Sequence, residues 1–131
     1  MDVSANGGPG QPDETLVFVY GTLQRGESNH DYLGEARFLG EARTAAQFDL
    51  VDLGDFPAMV DGGDTQVDGE LYALKPSRVR TVDELEDHPE YFRRTAVELE
   101  DGTSVFSYIL SKDQGHPYPR IASGSWRNSR G

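Results

Sequence analysis

The stretch Val17-Phe18-Val19-Tyr20-Gly21-Thr22-Leu23 joins a run of strand-forming residues to an abrupt break at glycine. Glycine lets a chain turn sharply, so that successive backbone N–H groups can point into one pocket and stabilise negative charge there. The same residues also fit a buried strand that ends in an ordinary turn. The pattern therefore predicts a strand end, with an oxyanion or carboxylate cradle as its functional interpretation.

A second segment predicts a helix that ends beside a carboxylate. Val79, Val82 and Leu85 recur at helical spacing, and Pro89 indicates that the helix stops before it. Glu86 follows at the margin of this apolar stripe, where partial loss of hydration would raise its pKa and make it a stronger base. The alternative is a solvated acidic face, composed of Asp83, Glu84, Glu86 and Asp87.

Several short motifs occur in a fixed order along most of the chain. They are Tyr20-Gly21-Thr22-Leu23 with Arg25, Gly26, Asn29 and His30, then Gly54-Asp55-Phe56-Pro57-Ala58, Val67-Asp68-Gly69-Glu70-Leu71-Tyr72, Asp83-Glu84-Leu85-Glu86 and Tyr91-Phe92-Arg93-Arg94. Together they resemble the gamma-glutamylcyclotransferase-like family of small β-barrel proteins, and in particular members similar to gamma-glutamylamine cyclotransferase. The later motifs Phe106-Ser107-Tyr108 and Ser123-Gly124-Ser125-Trp126-Arg127 resemble its bacterial branch.

Composition limits the classes of partner and compartment. The chain has 131 residues, which is enough to form one core. It has no cysteine, so it can form no disulfide or zinc-thiolate site, and its formal charge is -11. The acidic charge argues against nucleic acid and anionic membrane as partners. No long apolar run or basic, hydrophobic leader is visible, so a soluble cytoplasmic protein is expected. Its oligomeric state cannot be predicted from the sequence.

The chain is predicted to consist of a tail and a single domain. Residues 1–13 are rich in glycine, proline and polar groups and are expected to form a disordered tail. Residues 14–131 are expected to form one gamma-glutamylcyclotransferase-like domain. No internal repeat or domain boundary interrupts it.

Strand and turn patterns predict an α+β fold. Period-two stretches over 94–100 and 104–110, joined through Asp101-Gly102, form the clearest hairpin pattern. The final stretch from Asp113 is expected to be irregular and anchored by the Trp126 indole. Further strands are predicted over 36–39, 47–51, 58–60 and 67–73, the last with apolar residues alternating at Val67, Gly69, Leu71 and Ala73. Ser28 is predicted to cap a short helix over 29–33. Many strands with one or two short helices predict a small mixed sheet, either twisted or closed into a β-barrel.

No metal and no cofactor are expected. His30, His88 and His116 are scattered and lack the paired spacing of a metal site. His30 follows the glycine loop, where it either helps shape the pocket or holds the loop through hydrogen bonds. Thr22 lies in the right loop for a nucleophile, but no serine-hydrolase elbow surrounds it.

The resemblance implies a reaction in which a γ-glutamyl amide cyclises to 5-oxoproline and releases its amine. It assigns the catalytic base to Glu86 and substrate binding to Tyr20, Gly21, Thr22 and Leu23. Tyr108 matches a family tyrosine near the pocket, where its hydroxyl either orients the substrate or simply packs. Arg94 matches the arginine after the catalytic helix and is expected to pair with an acidic residue.

Two classes of function follow. The first is an enzyme, a cyclotransferase that acts on a small γ-glutamyl compound. The second is a non-catalytic small-molecule-binding or accessory protein with the same fold. Glu86 favours the enzyme, because a binding protein has no need of a carboxylate base beside the substrate amine, although a carboxylate also attracts ammonium groups.

Overall fold

The computed structural model describes residues 13–130. The expected tail over 1–13 therefore lies outside the described residues, apart from its last residue, Asp13, which is exposed. The strands are β1 (Thr15–Val19), β2 (Arg37–Arg43), β3 (Phe48–Asp52), β4 (Pro57–Asp61), β5 (Asp68–Leu74), β6 (Arg93–Glu98) and β7 (Ser104–Leu110). The helices are a short 3₁₀ helix (His30–Leu33), α1 (Pro76–Leu85), α2 (Lys112–Gly115) and α3 (Trp126–Arg130). None of the helices within 13–130 is long and apolar enough to cross a membrane.

The seven strands form one mixed sheet in the order β2-β5-β1-β7-β4-β3, with β6 paired to β7. Strand β7 runs parallel to β1 and β4 and antiparallel to β6. The α+β class with few short helices is confirmed, but the alternative of a closed β-barrel is wrong for the described part of the chain. The ends of β2 and β6 meet only at an isolated bridge between Thr44 and Leu99, so no strand ladder closes the sheet.

Both faces of the central strands are buried. Successive side chains of a strand point to opposite faces, so β1 places Val17 and Val19 in one core and Phe18 in another. Helix α1 covers the first core with Val79 and Val82. The second core contains Trp126 of α3, which is 2% exposed. This double burial explains why β1 reads as a continuous apolar run.

Local predictions were confirmed where a turn or a proline dominates. The β6–β7 hairpin forms as predicted, and α1 ends at Leu85, before Pro89. Ser28 does not cap the short helix, because Asn29 occupies the N-cap position without a side-chain cap bond. The stretch from Asp113 is more regular than expected, since it contributes to α2 and contains α3.

Strand β5 departs from its predicted pattern. Glu70 and Tyr72, which fall between the predicted apolar positions, are 1% and 2% exposed, whereas Leu71 is only partly buried. Apolar alternation is typical of a strand with one buried face, but cores lie on both sides of this strand.

Candidate active site

The loop that follows β1 is a compact turn held by its own hydrogen bonds. The amide of Gln24 donates to the Gly21 carbonyl at 3.1 Å, and that of Asn29 donates to the Thr22 carbonyl at 2.8 Å. The Asn29 side chain also donates to the Thr22 hydroxyl at 2.9 Å. His30 lies outside the cavity lining and holds the loop, because its Nδ1 donates to the Leu23 carbonyl at 2.9 Å.

Gly21 is needed for a close contact rather than for its backbone angle. It is not among the glycines with positive φ, so the sharp turn expected at this position does not require glycine's conformational freedom. A Cβ on Gly21 would lie 2.7 Å from Cγ and 2.8 Å from Cδ of Pro57, which is closer than real Cβ contacts allow. The glycine therefore lets the loop pack against the start of β4.

Three consecutive amide groups of this loop are available as donors. The structure gives the N–H groups of Gly21, Thr22 and Leu23 no hydrogen-bond acceptor within residues 13–130. All three residues line a cavity of about 240 Å³. Because none of the described lining residues is a lysine or arginine, these backbone amides are neutral donors that the cavity presents to negative charge.

Glu86 faces the same cavity from the end of α1. It occupies the C-cap position of the helix, with its amide bonded to the Val82 carbonyl at 3.0 Å. Its side chain is partly buried and forms no hydrogen bond or ion pair with another residue of the described chain. Burial raises the pKa of Glu86 to about 7, and the negative charge of the adjacent Asp87 adds to the shift.

This raised pKa predicts a pH-dependent cost to stability. The folded protein binds the Glu86 proton more tightly than the unfolded chain, so protonation of Glu86 stabilises the fold at low pH. This stabilisation is lost as the pH rises through about 7. We therefore expect the stability advantage of Glu86→Gln over the parent to grow by roughly 2 kcal/mol between pH 5 and pH 8. Urea denaturation of both proteins at the two pH values measures it. An advantage that is equal at both values would contradict the raised pKa.

The cavity brings together all six site residues predicted from the sequence, Tyr20, Gly21, Thr22, Leu23, Glu86 and Tyr108. Its other walls were not predicted as site residues. They are Phe18, Val19, Asn29, Phe56, Pro57, Leu85, Asp87, Tyr91 and Phe92. Several belong to motifs that carried the family resemblance, so the signal was present but indicated the family rather than the cavity.

The hydroxyl groups of the two predicted tyrosines are already bonded within the protein. Tyr20 donates to the Tyr108 carbonyl at 2.6 Å and accepts from the Met59 amide at 2.9 Å. Tyr108 donates to Asp83 Oδ1 at 2.5 Å. Burial raises the pKa of both tyrosines, so both hydroxyls stay protonated. The Tyr108 hydroxyl can consequently accept a hydrogen bond from a ligand, but it cannot donate one, because it already donates to Asp83.

Asp83 joins the helix of Glu86 to the β6–β7 hairpin. The sequence placed it in a family motif and in a possible acidic face but did not predict it as a site residue. Arg94 donates to both of its carboxylate oxygens, at 3.1 and 3.2 Å. The predicted pairing of Arg94 with an acidic residue is therefore present. Asp83 lies one helical turn before Glu86, a spacing that could have indicated a shared face.

Within residues 13–130, no group of three or more histidine, aspartate or glutamate side chains is arranged to hold a metal ion.

Comparison with known proteins places this chain in a family. The sequence profile of the family described as gamma-glutamyl cyclotransferase, AIG2-like, matches residues 17–128. The chain belongs to this family. The family resemblance drawn from the motifs is thereby confirmed, as is the prediction of an enzyme of the gamma-glutamylcyclotransferase type.

Individual relatives extend over most of the chain. A Vibrio cholerae protein named "Putative gamma-glutamylcyclotransferase" is 40% identical over 111 residues, which cover 85% of this chain and 94% of that protein. Gamma-glutamylaminecyclotransferase A of Danio rerio is 33% identical over 114 residues, covering 77% of this chain and 71% of that protein. The crystal structure of an AIG2-like protein from Mus musculus superposes with a TM-score of 0.71 at 32% identity, covering 84% of this chain and 87% of that one.

Proposed function

We propose that this enzyme converts a γ-glutamyl amide to 5-oxoproline and a free amine by intramolecular cyclisation. Membership of the cyclotransferase family and the names of its relatives support the reaction class. The observation that carries the assignment of roles is that one cavity holds a carboxylate with a raised pKa and three backbone amides that have no acceptor within residues 13–130.

Glu86 is the proposed general base. The α-amine of the substrate enters as an ammonium group, which cannot attack a carbonyl carbon until it loses a proton. A carboxylate whose pKa is about 7 is half ionised near neutral pH and, once ionised, accepts that proton more readily than an ordinary glutamate. The freed amine then attacks the γ-carbonyl carbon of the same molecule, forming the new C–N bond of a five-membered ring.

The 20–23 loop is the proposed cradle for the charge that develops during this attack. The carbonyl oxygen becomes an oxyanion, and amides fixed at hydrogen-bond distance stabilise it by roughly 3 kcal/mol per donor in comparable sites. In an alternative arrangement, two of the three amides bind the substrate α-carboxylate and the third stabilises the oxyanion. Both uses require the loop to keep its present turn.

Collapse of the oxyanion breaks the original amide C–N bond. The proton held by Glu86 passes to the departing nitrogen, and the ring nitrogen gives up its second proton through the regenerated carboxylate to the freed amine, which leaves as an ammonium ion, so no other reactant is consumed. Because the nucleophile and the carbonyl belong to one molecule, binding of the folded conformer supplies much of the rate. The proposed mechanism needs neither metal nor cofactor.

A panel of γ-glutamyl compounds tests the proposal and identifies the leaving amine. The purified protein would be given γ-glutamyl derivatives of an amino acid, a polyamine and a lysine side chain, and 5-oxoproline would be measured by mass spectrometry. We expect release of 5-oxoproline with at least one member. Binding of these compounds without any product would favour a binding protein instead.

The pH dependence of kcat/KM follows from the two groups that exchange the proton. Glu86 must be ionised, so the rate constant rises through about pH 7. The substrate must arrive as its ammonium form to pair with the carboxylate, so the rate constant falls again when the α-amino group of the free substrate loses its proton at higher pH. We expect a bell-shaped profile between these limbs. A profile that stays flat from pH 5 to 7 would show that Glu86 does not take part.

A further inference from the structure

Glu70 is a buried carboxylate behind the 20–23 loop and does not line the cavity. It lies on β5, is 1% exposed, and accepts hydrogen bonds at Oε1 from the Arg25 amide at 2.9 Å and the Tyr72 hydroxyl at 3.0 Å. A buried carboxylate is costly unless cations and donors surround it. Its partners therefore show what the fold uses this charge to hold.

Two guanidinium groups from different parts of the chain compensate Glu70. Arg25 Nε and Arg127 Nη1 each lie 3.5 Å from its Oε2. Arg127, which belongs to α3, also donates to the Arg25 carbonyl and lies 3.5 Å from Glu27 Oε2. Arg25 is consequently held at its amide by Glu70 and at its carbonyl by Arg127.

One buried residue connects Arg25 to the loop whose amides are the proposed donors. Gln24 precedes Arg25, is 5% exposed, and binds the Gly21 carbonyl twice, through its amide at 3.1 Å and its Nε2 at 3.3 Å. Movement at Arg25 would therefore shift Gln24 and, through it, Gly21. A displacement of about 1 Å in such a site can cost up to about 100-fold in rate.

We propose that Glu70 and Arg127 are positioning residues that hold the 20–23 loop from behind. The inference deepens the proposed function, because it gives the cradle a support that spans the loop, β5 and α3. Under it, α3 takes part in catalysis although it lies outside the cavity lining. The alternative is that the two arginines only neutralise the buried charge of Glu70. In that case their removal would lower the stability of the fold without changing the conformation of the loop.

The decisive comparison is Arg127→Met against Arg120→Met. Arg120 is a matched control, because it also lies near the end of the chain and also pairs with two carboxylates, Asp49 at 3.4 Å and Asp64 at 3.7 Å, away from the loop. We expect Arg127→Met to lower kcat/KM by about tenfold or more. Arg120→Met should stay within about twofold of the parent, since exposed ion pairs contribute little.

Hydrogen exchange provides a readout that does not depend on turnover. The amides of Gln24 and Asn29 close the loop through bonds to Gly21 and Thr22. We expect both to exchange at least about tenfold faster in Arg127→Met than in Arg120→Met, while β1 and β5 amides remain protected. Arg127→Lys should recover part of the protection, and Glu70→Gln, which keeps an acceptor for the Arg25 amide, should show a smaller change than Arg127→Met.

The outcomes separate this inference from the proposed function. If the parent protein cyclises no γ-glutamyl compound, the proposed function fails, and the exchange rates alone decide the positioning role. If Arg127→Met and Arg120→Met exchange Gln24 and Asn29 amides at equal rates, the positioning role is overturned. The positioning role is also overturned if the parent is active and Arg127→Met exchanges the Gln24 and Asn29 amides faster but keeps the kcat/KM of the parent.

Discussion

Glu86→Gln is expected to lower the rate of cyclisation by at least about 100-fold, which is the usual contribution of a general base. Glutamine keeps the size and polarity of the side chain but cannot accept a proton from the substrate ammonium. The fold should be intact, because the Glu86 side chain has no hydrogen bond or ion pair within residues 13–130 that the change would break. Steady-state kinetics and ligand titration measure turnover and binding separately.

Glu84→Gln is the matched control for this variant. Glu84 lies on the same helix two residues earlier, is exposed, and does not line the cavity. It is also a glutamate at this end of the helix, so any general effect of replacing a carboxyl group by an amide there appears in both variants. If Glu86→Gln turns over substrate as fast as Glu84→Gln, Glu86 is not the base.

Gly21→Val is expected to be the second most damaging change, with a loss of about 100-fold in kcat/KM for a displaced loop. The valine Cβ would lie within 2.7 Å of the Pro57 ring, so either the loop or the start of β4 must move. Thr22→Ser keeps both the amide and the hydroxyl that binds Asn29, and it should change the rate by less than about threefold. Circular dichroism and thermal melting establish that both variants are folded.

A double variant distinguishes the close contact from a requirement for backbone freedom. Pro57→Ala removes the Cγ and Cδ atoms that a side chain at position 21 would meet. We therefore expect Gly21→Ala combined with Pro57→Ala to be more active than Gly21→Ala alone. If the second change gives no recovery, the contact with Pro57 is not the reason for glycine at this position.

Features encoded by neighbouring residues could be predicted from the sequence. The β6–β7 hairpin depends on the Asp101-Gly102 turn, and the end of α1 depends on its apolar spacing and on Pro89. The placement of Glu86 at the helix end followed from the same pattern. Each of these signals lies within a few residues of the structure it specifies.

Features created by contacts between distant segments could not be predicted in this way. The role of Gly21 depends on Pro57, and the proton of the Tyr108 hydroxyl is committed to Asp83 on another element. Whether the sheet closes depends on how β2 and β6 meet, which no local pattern records. The burial of Glu70 could not be predicted because apolar alternation along β5 indicates one core, whereas two cores lie on opposite sides of this strand.

The central claim is that the cavity promotes attack by the substrate's own amine, with Glu86 as the base. The most direct test is to react the parent protein and Glu86→Gln with an accepted γ-glutamyl amide in water that carries a heavy oxygen isotope, and to identify the products by mass spectrometry. The account predicts unlabelled 5-oxoproline and one equivalent of amine from the parent, and almost none from Glu86→Gln. Labelled glutamate from the parent would show that water is the nucleophile and would contradict the cyclisation mechanism.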